Sequence, residues 1–181
     1  ERCKEIKEVG SKVKYIHNVK GGNYRIDPIQ AIVLDEKLKH LDKWNAYRRK
    51  FAQYYENIVN EEIEVPLTKP APWCTEQVFH IFPVLVGDTA AERQELMNYM
   101  QEQGSQVGIH YPICIEETGA YNDLASNNFN PRTRKNADRL VSLPIHPFMT
   151  PEDCLKVVKI LNSWKSEKKA VEQLAHRAER V

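Results

Sequence analysis

Apolar positions recur every three or four residues from Pro28 to about Val59: Leu34, Leu38, Leu41, Trp44, Tyr47, Phe51, Tyr54 and Ile58. That period marks one face of an α-helix. Lys37, Lys39, Lys43, Arg49 and Lys50 fill much of the opposite side. The pattern predicts a single long helix whose aromatics pack a core rather than form a cofactor box. Such a helix is longer than a typical globular one and suits a connector between two domains.

Downstream the period shortens. Val65-Pro66-Leu67 and Pro70-Ala71-Pro72 leave room only for a short or edge strand. Val78 to Val86 is rich in Val, Ile and Phe and reads as a strand, with Pro83 demanding an edge position or a bulge. Thr89-Ala90-Ala91-Glu92 is a capping box, opening a helix through Leu96, Met97 and Met100 that Gly104 ends. Gln106 to Tyr111 reads as a second strand, stopped by Pro112. Cys114 to Asn136 reads as a loop, with one helical turn over 119–124 and turn residues from Ser126 to Pro131. Leu140 to Ile145 is a third strand. Thr150-Pro151-Glu152-Asp153 caps a last core helix with Leu155, Val158, Leu161 and Trp164 inward. Lys165 to Val181 is charged and is expected to be helical and loosely held. At the other end, Cys3, Ile6, Val9 and Val13 give a weak helical stripe, followed by extended Val13, Tyr15 and Val19. Glu1 to Lys20 therefore reads as the tail of a preceding domain.

This order of elements predicts an α+β fold: a long helix, then a small antiparallel or mixed sheet covered by helices. The length, 181 residues with 41% apolar, suffices for one sizeable core. A net charge of +1 argues against a nucleic-acid surface. No apolar run spans a bilayer, and Glu1-Arg2-Cys3-Lys4-Glu5 is not a signal peptide. Cys3, Cys74, Cys114 and Cys154 show neither C-x-x-C nor zinc spacing, so we expect free thiols, a cytoplasmic setting and no metal.

One stretch carries chemistry before a helix start: Gly21-Gly22-Asn23-Tyr24-Arg25-Ile26-Asp27-Pro28-Ile29-Gln30-Ala31. The glycines permit left-handed or close-approach backbone. Asn23 offers an amide and Arg25 a planar fork for carboxylate or phosphate. Asp27 is an N-cap, Pro28 fits the first helical position, and Gln30 sits where a capping-box partner reaches back. The polar pair thus lies beside a helix N-terminus, which favours anions. A glycine turn with Arg25 merely solvated is the plainer reading.

That glycine, N-x-R and helix opening with Q-A resembles the DegT/DnrJ/EryC1/StrS sugar aminotransferases. Three further stretches resemble the same family in the same order: Trp44-Asn45-Ala46-Tyr47-Arg48-Arg49, Gly108-Ile109-His110-Tyr111-Pro112 with Ala120-Tyr121 beyond it, and Ser142-Leu143-Pro144-Ile145-His146-Pro147-Phe148-Met149-Thr150. The resemblance implies the small domain of a fold-type I enzyme dependent on pyridoxal 5'-phosphate (PLP). It covers only the C-terminal half of such an enzyme. The large domain and the lysine that forms the internal aldimine would lie upstream of Glu1, so no catalytic residue is assigned in this chain. Residues 1–27 would then be a remnant of the large domain or a linker from it, 28–165 the small domain and 166–181 a charged tail.

By resemblance, Asn23 would reach the PLP phosphate of the other subunit of a homodimer, and Arg25 would support that loop or meet substrate phosphates. His110 and Tyr111 would lie near the mouth through which a nucleotide sugar passes. A strand-end histidine satisfied by backbone is the competing reading of His110. His40, His80 and His146 are expected to be structural. Two departures bear on substrate: Cys114-Ile115-Glu116 puts a carboxylate where the family commonly has P-x-H, and the loop Arg132-Thr133-Arg134-Lys135 replaces a usual acidic residue.

The implied function is part of a transaminase that passes an amino group, commonly from glutamate, to a nucleotide-linked keto-sugar. Alone, the chain is expected to be inactive. The alternative is a stand-alone, non-catalytic α+β module that binds a partner through the Trp44 to Tyr55 face or a phosphorylated ligand through Asn23 and Arg25. An exposed apolar helix face would point instead to a domain lacking its other half.

Overall fold

The computed structural model describes residues 1–58, 72–121 and 130–178. The short strand expected near Val65, most of the turn chemistry from Ser126 to Pro131 and part of the turn over 119–124 lie outside the described residues. Contacts divide the chain into two compact units, Glu1–Asp42 and Lys43–Val181.

The first unit begins with α1 (Arg2–Lys7) and a small antiparallel hairpin of β1 (Ser11–Val13) and β2 (Ile16–His17). Gly10 sits at φ +77° where the chain leaves α1. The returning segment passes so close that a Cβ on Gly21 would stand 2.3 Å from the Gly10 nitrogen and 2.5 Å from the Ile6 carbonyl oxygen. Close approach, not a left-handed turn, is what Gly21 supplies.

Then comes α2 (Pro28–Leu38). Asp27 caps it as expected, accepting from the Ile29 nitrogen at 2.9 Å and the Gln30 nitrogen at 3.3 Å. The return bond expected from the Gln30 side chain is not formed among the described residues. The expected single helix is in fact two, because α3 (Leu41–Ile58) starts afresh after a turn in which the His40 nitrogen donates to the Lys37 carbonyl. The physical reason lies in burial. Helices in proteins are held mainly by packing of one face, and α2 buries none of its residues. Ile29, Ile32, Val33, Leu34 and Leu38 are all exposed. Leu34 and Leu38, expected inward, are corrected accordingly.

In the second unit β3 (Phe82–Leu85) pairs antiparallel with β4 (Leu140–Leu143), Phe82 opposite Leu143 and Leu85 opposite Leu140. Val86 extends the ladder by donating to the Arg139 carbonyl. That phase puts Pro83 opposite Ser142 at a position where neither backbone bonds the other. Proline is therefore accommodated on β3, an edge strand among the described residues, without losing a ladder bond. Ser142 turns its backbone the other way and exchanges both bonds with Gly108, at 2.7 and 3.1 Å.

Two strands are thus shorter than expected. The strand read over Val78 to Val86 begins only at Phe82 because Arg48 collects the carbonyls of Phe79 and His80. The strand read over Gln106 to Tyr111 shrinks to the Gly108 bridge, since Gly108 brings no side chain to pack and Pro112 no donor.

Helix α4 (Ala90–Glu102) opens on the Thr89–Glu92 capping box and closes at Gly104, φ +74°. The basic run Arg132 to Lys135 is not a loop: it lies in α5 (Pro131–Arg139). Asn130 caps that helix from its side chain and Pro131 starts it, so residues read as turn chemistry are a helix entry. Helix α6 (Pro151–Ala178) runs on through most of the charged tail. Its inward residues are Cys154, Val157, Val158, Ile160 and Leu161, while Leu155 is exposed. The core joins these to Phe51, Ala52 and Tyr55 of α3, Phe82, Val84, Val141 and Leu143 of the sheet, and Leu96 and Met100 of α4. Tyr47, expected inward, is partly exposed, at 38%.

Candidate functional site

The Gly21–Arg25 segment is organised by Glu8. The Glu8 backbone bridges Asn23, and its carboxylate accepts a hydrogen bond from Arg25 Nε at 3.0 Å, with Lys7 Nζ 3.6 Å from its other oxygen. Asn23 itself is exposed, as is Arg25. Arg25 is therefore neither simply solvated nor a free anion hook. It is an exposed ion pair, with side chains 57% and 42% accessible, which contributes little stability. Among the described residues the Asn23 side-chain amide makes no hydrogen bond. Asn23 and Arg25 are thus brought together with Glu8 in the first unit, and His110 and Tyr111 belong to the second.

His110 is half-buried and Tyr111 exposed, their rings in an edge contact with centroids 5.5 Å apart. His110 Nδ1 lies 2.8 Å from Ser142 Oγ. Neither reading made from the sequence foresaw this partner: the histidine is held by a side-chain hydroxyl, not by backbone. Gly108 makes room for the ring, because a Cβ there would stand 3.1 Å from His110 Cε1. Ser142 is buried, so one residue of β4 fixes both the Gly108 segment and the imidazole that follows it. That pairing joins two of the motif stretches, and only the fold brings them into register.

Sequence reasoning also missed Arg48. Its Nη1 donates to the carbonyls of Phe79 at 3.3 Å, His80 at 3.0 Å and Ile145 at 3.0 Å. Partial burial lowers its pKa from the ordinary arginine value. The available signal was an arginine one turn beyond Trp44 on the inward side of an amphipathic helix. Tyr55, two turns on, donates its hydroxyl to the Pro144 carbonyl at 2.7 Å. His80 lends its carbonyl to this clasp, and His146 accepts the Phe148 nitrogen on Nδ1 at 3.2 Å.

Among the departures, Glu116 sits in a short 3₁₀ turn (Ile115–Glu117), and its neighbour Glu117 pairs with Arg134. Arg134 also lies 3.8 Å from Asp138. Part of the basic run is thus neutralised within the protein. All four cysteines are free, Cys114 and Cys154 buried and Cys3 and Cys74 exposed.

The donor set in this chain suits only one part of PLP. An exposed amide at Asn23, four residues before the Asp27 cap, fits a phosphate oxygen, whereas the Gly22 N–H is already taken by the Ile6 carbonyl. Arg25 is less suited, because Glu8 already meets its charge.

Comparison with known proteins gives a consistent result. Residues 1–162 match the DegT/DnrJ/EryC1/StrS aminotransferase family. The chain is 34% identical over 165 residues to "Erythromycin biosynthesis sensory transduction protein EryC1" of Saccharopolyspora erythraea, covering 90% of this chain and 43% of that protein. It is 36% identical over 165 residues to dTDP-3-amino-3,6-dideoxy-alpha-D-galactopyranose transaminase of Aneurinibacillus thermoaerophilus, covering 91% of this chain and 43% of that protein. Among solved structures, DesV of S. venezuelae in complex with ketimine intermediate superposes with a TM-score of 0.79 at 32% identity, over 90% of this chain and 43% of that one. A Brucella abortus member of the family, at 22% identity, shares the fold with a TM-score of 0.77 over 90% of this chain and 42% of that one. The chain thus spans less than half the length of the relatives it matches.

Proposed function

Because the chain belongs to the DegT/DnrJ/EryC1/StrS aminotransferase family, we propose that it is the C-terminal part of a PLP-dependent enzyme that transfers an amino group to a nucleotide-linked keto-sugar. The observation that carries this reading is the extent of the family match, which takes in both Asn23–Arg25 and His110–Tyr111. Two relatives named as dTDP-aminosugar transaminases support the substrate class. Glutamate is the proposed amino donor. Residues 1–27 are assigned to the end of the cofactor-binding domain, 28–165 to the small domain and 166–181 to a charged extension.

When bound, PLP supplies the electron sink for amino transfer. This chain's own part is binding and orientation. Asn23 donates its amide to the cofactor phosphate across the interface of a symmetric dimer, and Glu8 holds Arg25 alongside as a brace for that loop. His110 and Tyr111 flank the substrate's entry, with Ser142 fixing the imidazole. No lysine here is assigned to carry the cofactor, so the chain by itself is proposed to lack transaminase activity. A cytoplasmic setting accords with the finding that no described helix is long and apolar enough to cross a membrane.

The free-standing, non-catalytic module is the weaker reading. The apolar exposure of Ile29, Ile32 and Leu38 on α2 suits a segment covered in a larger assembly. The test is to express residues 1–181 joined to their native upstream sequence and read cofactor absorbance and amino transfer from glutamate to a dTDP-keto-sugar. A visible-range cofactor band that weakens in Asn23→Ala supports the proposal. Absence of any such band in the joined protein overturns it.

A further inference from the structure

Ser142 is buried, and its Oγ has a single partner among the described residues, the Nδ1 of His110 at 2.8 Å. A buried hydroxyl proton must be given to an acceptor or its desolvation goes uncompensated. The Ser142 backbone offers no outlet, since its N–H and C=O are both engaged by Gly108. On β3 the facing residue is Pro83, which brings no polar side chain. Among the described residues, the one arrangement that satisfies every group has Ser142 O–H donating to Nδ1. A neutral imidazole that accepts on Nδ1 carries its proton on Nε2.

From this we propose that Ser142 is a positioning residue: it fixes His110 as the Nε2–H tautomer and presents that N–H as a hydrogen-bond donor to an acceptor oxygen of the substrate, a phosphate or sugar oxygen. The inference rests on the reading of His110 as a substrate contact. Nε2 has no partner among the described residues. The ring is braced on three sides, by Ser142 at Nδ1, by the bare Cα of Gly108 beneath Cε1 and by the edge of Tyr111.

Histidine ¹⁵N NMR of the native protein, with His110→Gln to assign the signal, reads the tautomer directly. The wild type is expected to show His110 protonated on Nε2 near pH 8, and Ser142→Ala to give a mixture of the two tautomers. Thymidine diphosphate binding is expected to weaken roughly tenfold in His110→Gln and several-fold in Ser142→Ala, as for loss or misorientation of one donor. An Nδ1–H tautomer in the wild type, or an unchanged spectrum in Ser142→Ala, overturns the role given to Ser142. If the tautomer behaves as expected but His110→Gln leaves the binding of thymidine diphosphate and of a dTDP-sugar unchanged, the Ser142–His110 pair stands and the reading of His110 as a substrate contact fails.

Discussion

Arg48 Nη1 donates to the Ile145 carbonyl oxygen at 3.0 Å, joining residues 97 apart in sequence. The same nitrogen holds Phe79 and His80, so one guanidinium closes the open end of the β3–β4 ladder from both strands. At the far end Arg139 donates to the Gly87 carbonyl. Arg48→Ala strands three carbonyls, two of them part-buried, and is expected to cost about 3 kcal/mol. Arg48→Lys should recover only part of this, because the lysine side chain is one atom shorter and stops short of the Nη1 position that reaches all three carbonyls. Urea unfolding midpoints of the two variants check both statements.

Tyr55 anchors the neighbouring carbonyl, that of Pro144, from the same helix. Burial, ahead of the nearby Cys154, pushes its phenol well above the usual tyrosine range, so the hydroxyl stays a donor at every working pH. Tyr55→Phe is expected to cost about 1–2 kcal/mol. Combined with Arg48→Ala the loss should fall short of the sum, since both hold the 144–145 corner. A double-mutant cycle by chemical denaturation measures the coupling.

Glu92 gives the fold an acid limit. Its carboxylate is held down to about 2, well below the usual glutamate range, by the Lys168 ammonium first and by the Asp88 backbone N–H next. A depressed folded-state pKa means that this stabilisation is full above about 4.5 and is lost as pH falls toward 2. Glu92→Gln should lower the melting temperature at pH 7 and flatten its decline between pH 5 and pH 2. Melting curves across that window decide the point.

Gly21 and Gly119 make a matched pair of alanine substitutions. A Cβ on Gly21 meets backbone at 2.3 Å, whereas nothing lies within 4 Å of one on Gly119. Gly21→Ala is expected to cost about 3 kcal/mol and to loosen the Asn23 loop, as overpacking against backbone does. Gly119→Ala should be neutral or slightly stabilising through the unfolded chain. Limited proteolysis of the first unit separates the two.

Local signals were the legible ones. The caps at Asp27 and Thr89, the Thr150–Asp153 box and the Gly104 stop all form as their spacing implies, because each is settled within four residues. Pro83 likewise announced an edge position. What escaped depends on distant partners. The break at Lys39–His40 followed from α2 burying nothing, which an apolar period does not reveal. The early part of the Val78–Val86 strand was taken by Arg48, and the Arg132–Lys135 helix hid behind an Asn130-Pro131 entry that is chemically the same as a turn. For the site, motif resemblance pointed to His110, yet its partner Ser142 sat unremarked in another motif 32 residues on.

Ser142 answers to Gly108 through its backbone, to His110 through its hydroxyl and to Pro83 by register. Because side chains alternate along a strand, deleting one residue of Leu140–Leu143 would move the hydroxyl to the opposite face. The imidazole would then face Val141 or Leu143. This strand therefore accepts no change of length. Chimeras with related proteins should place their junctions outside it, in the segment after Tyr121 or beyond Pro147.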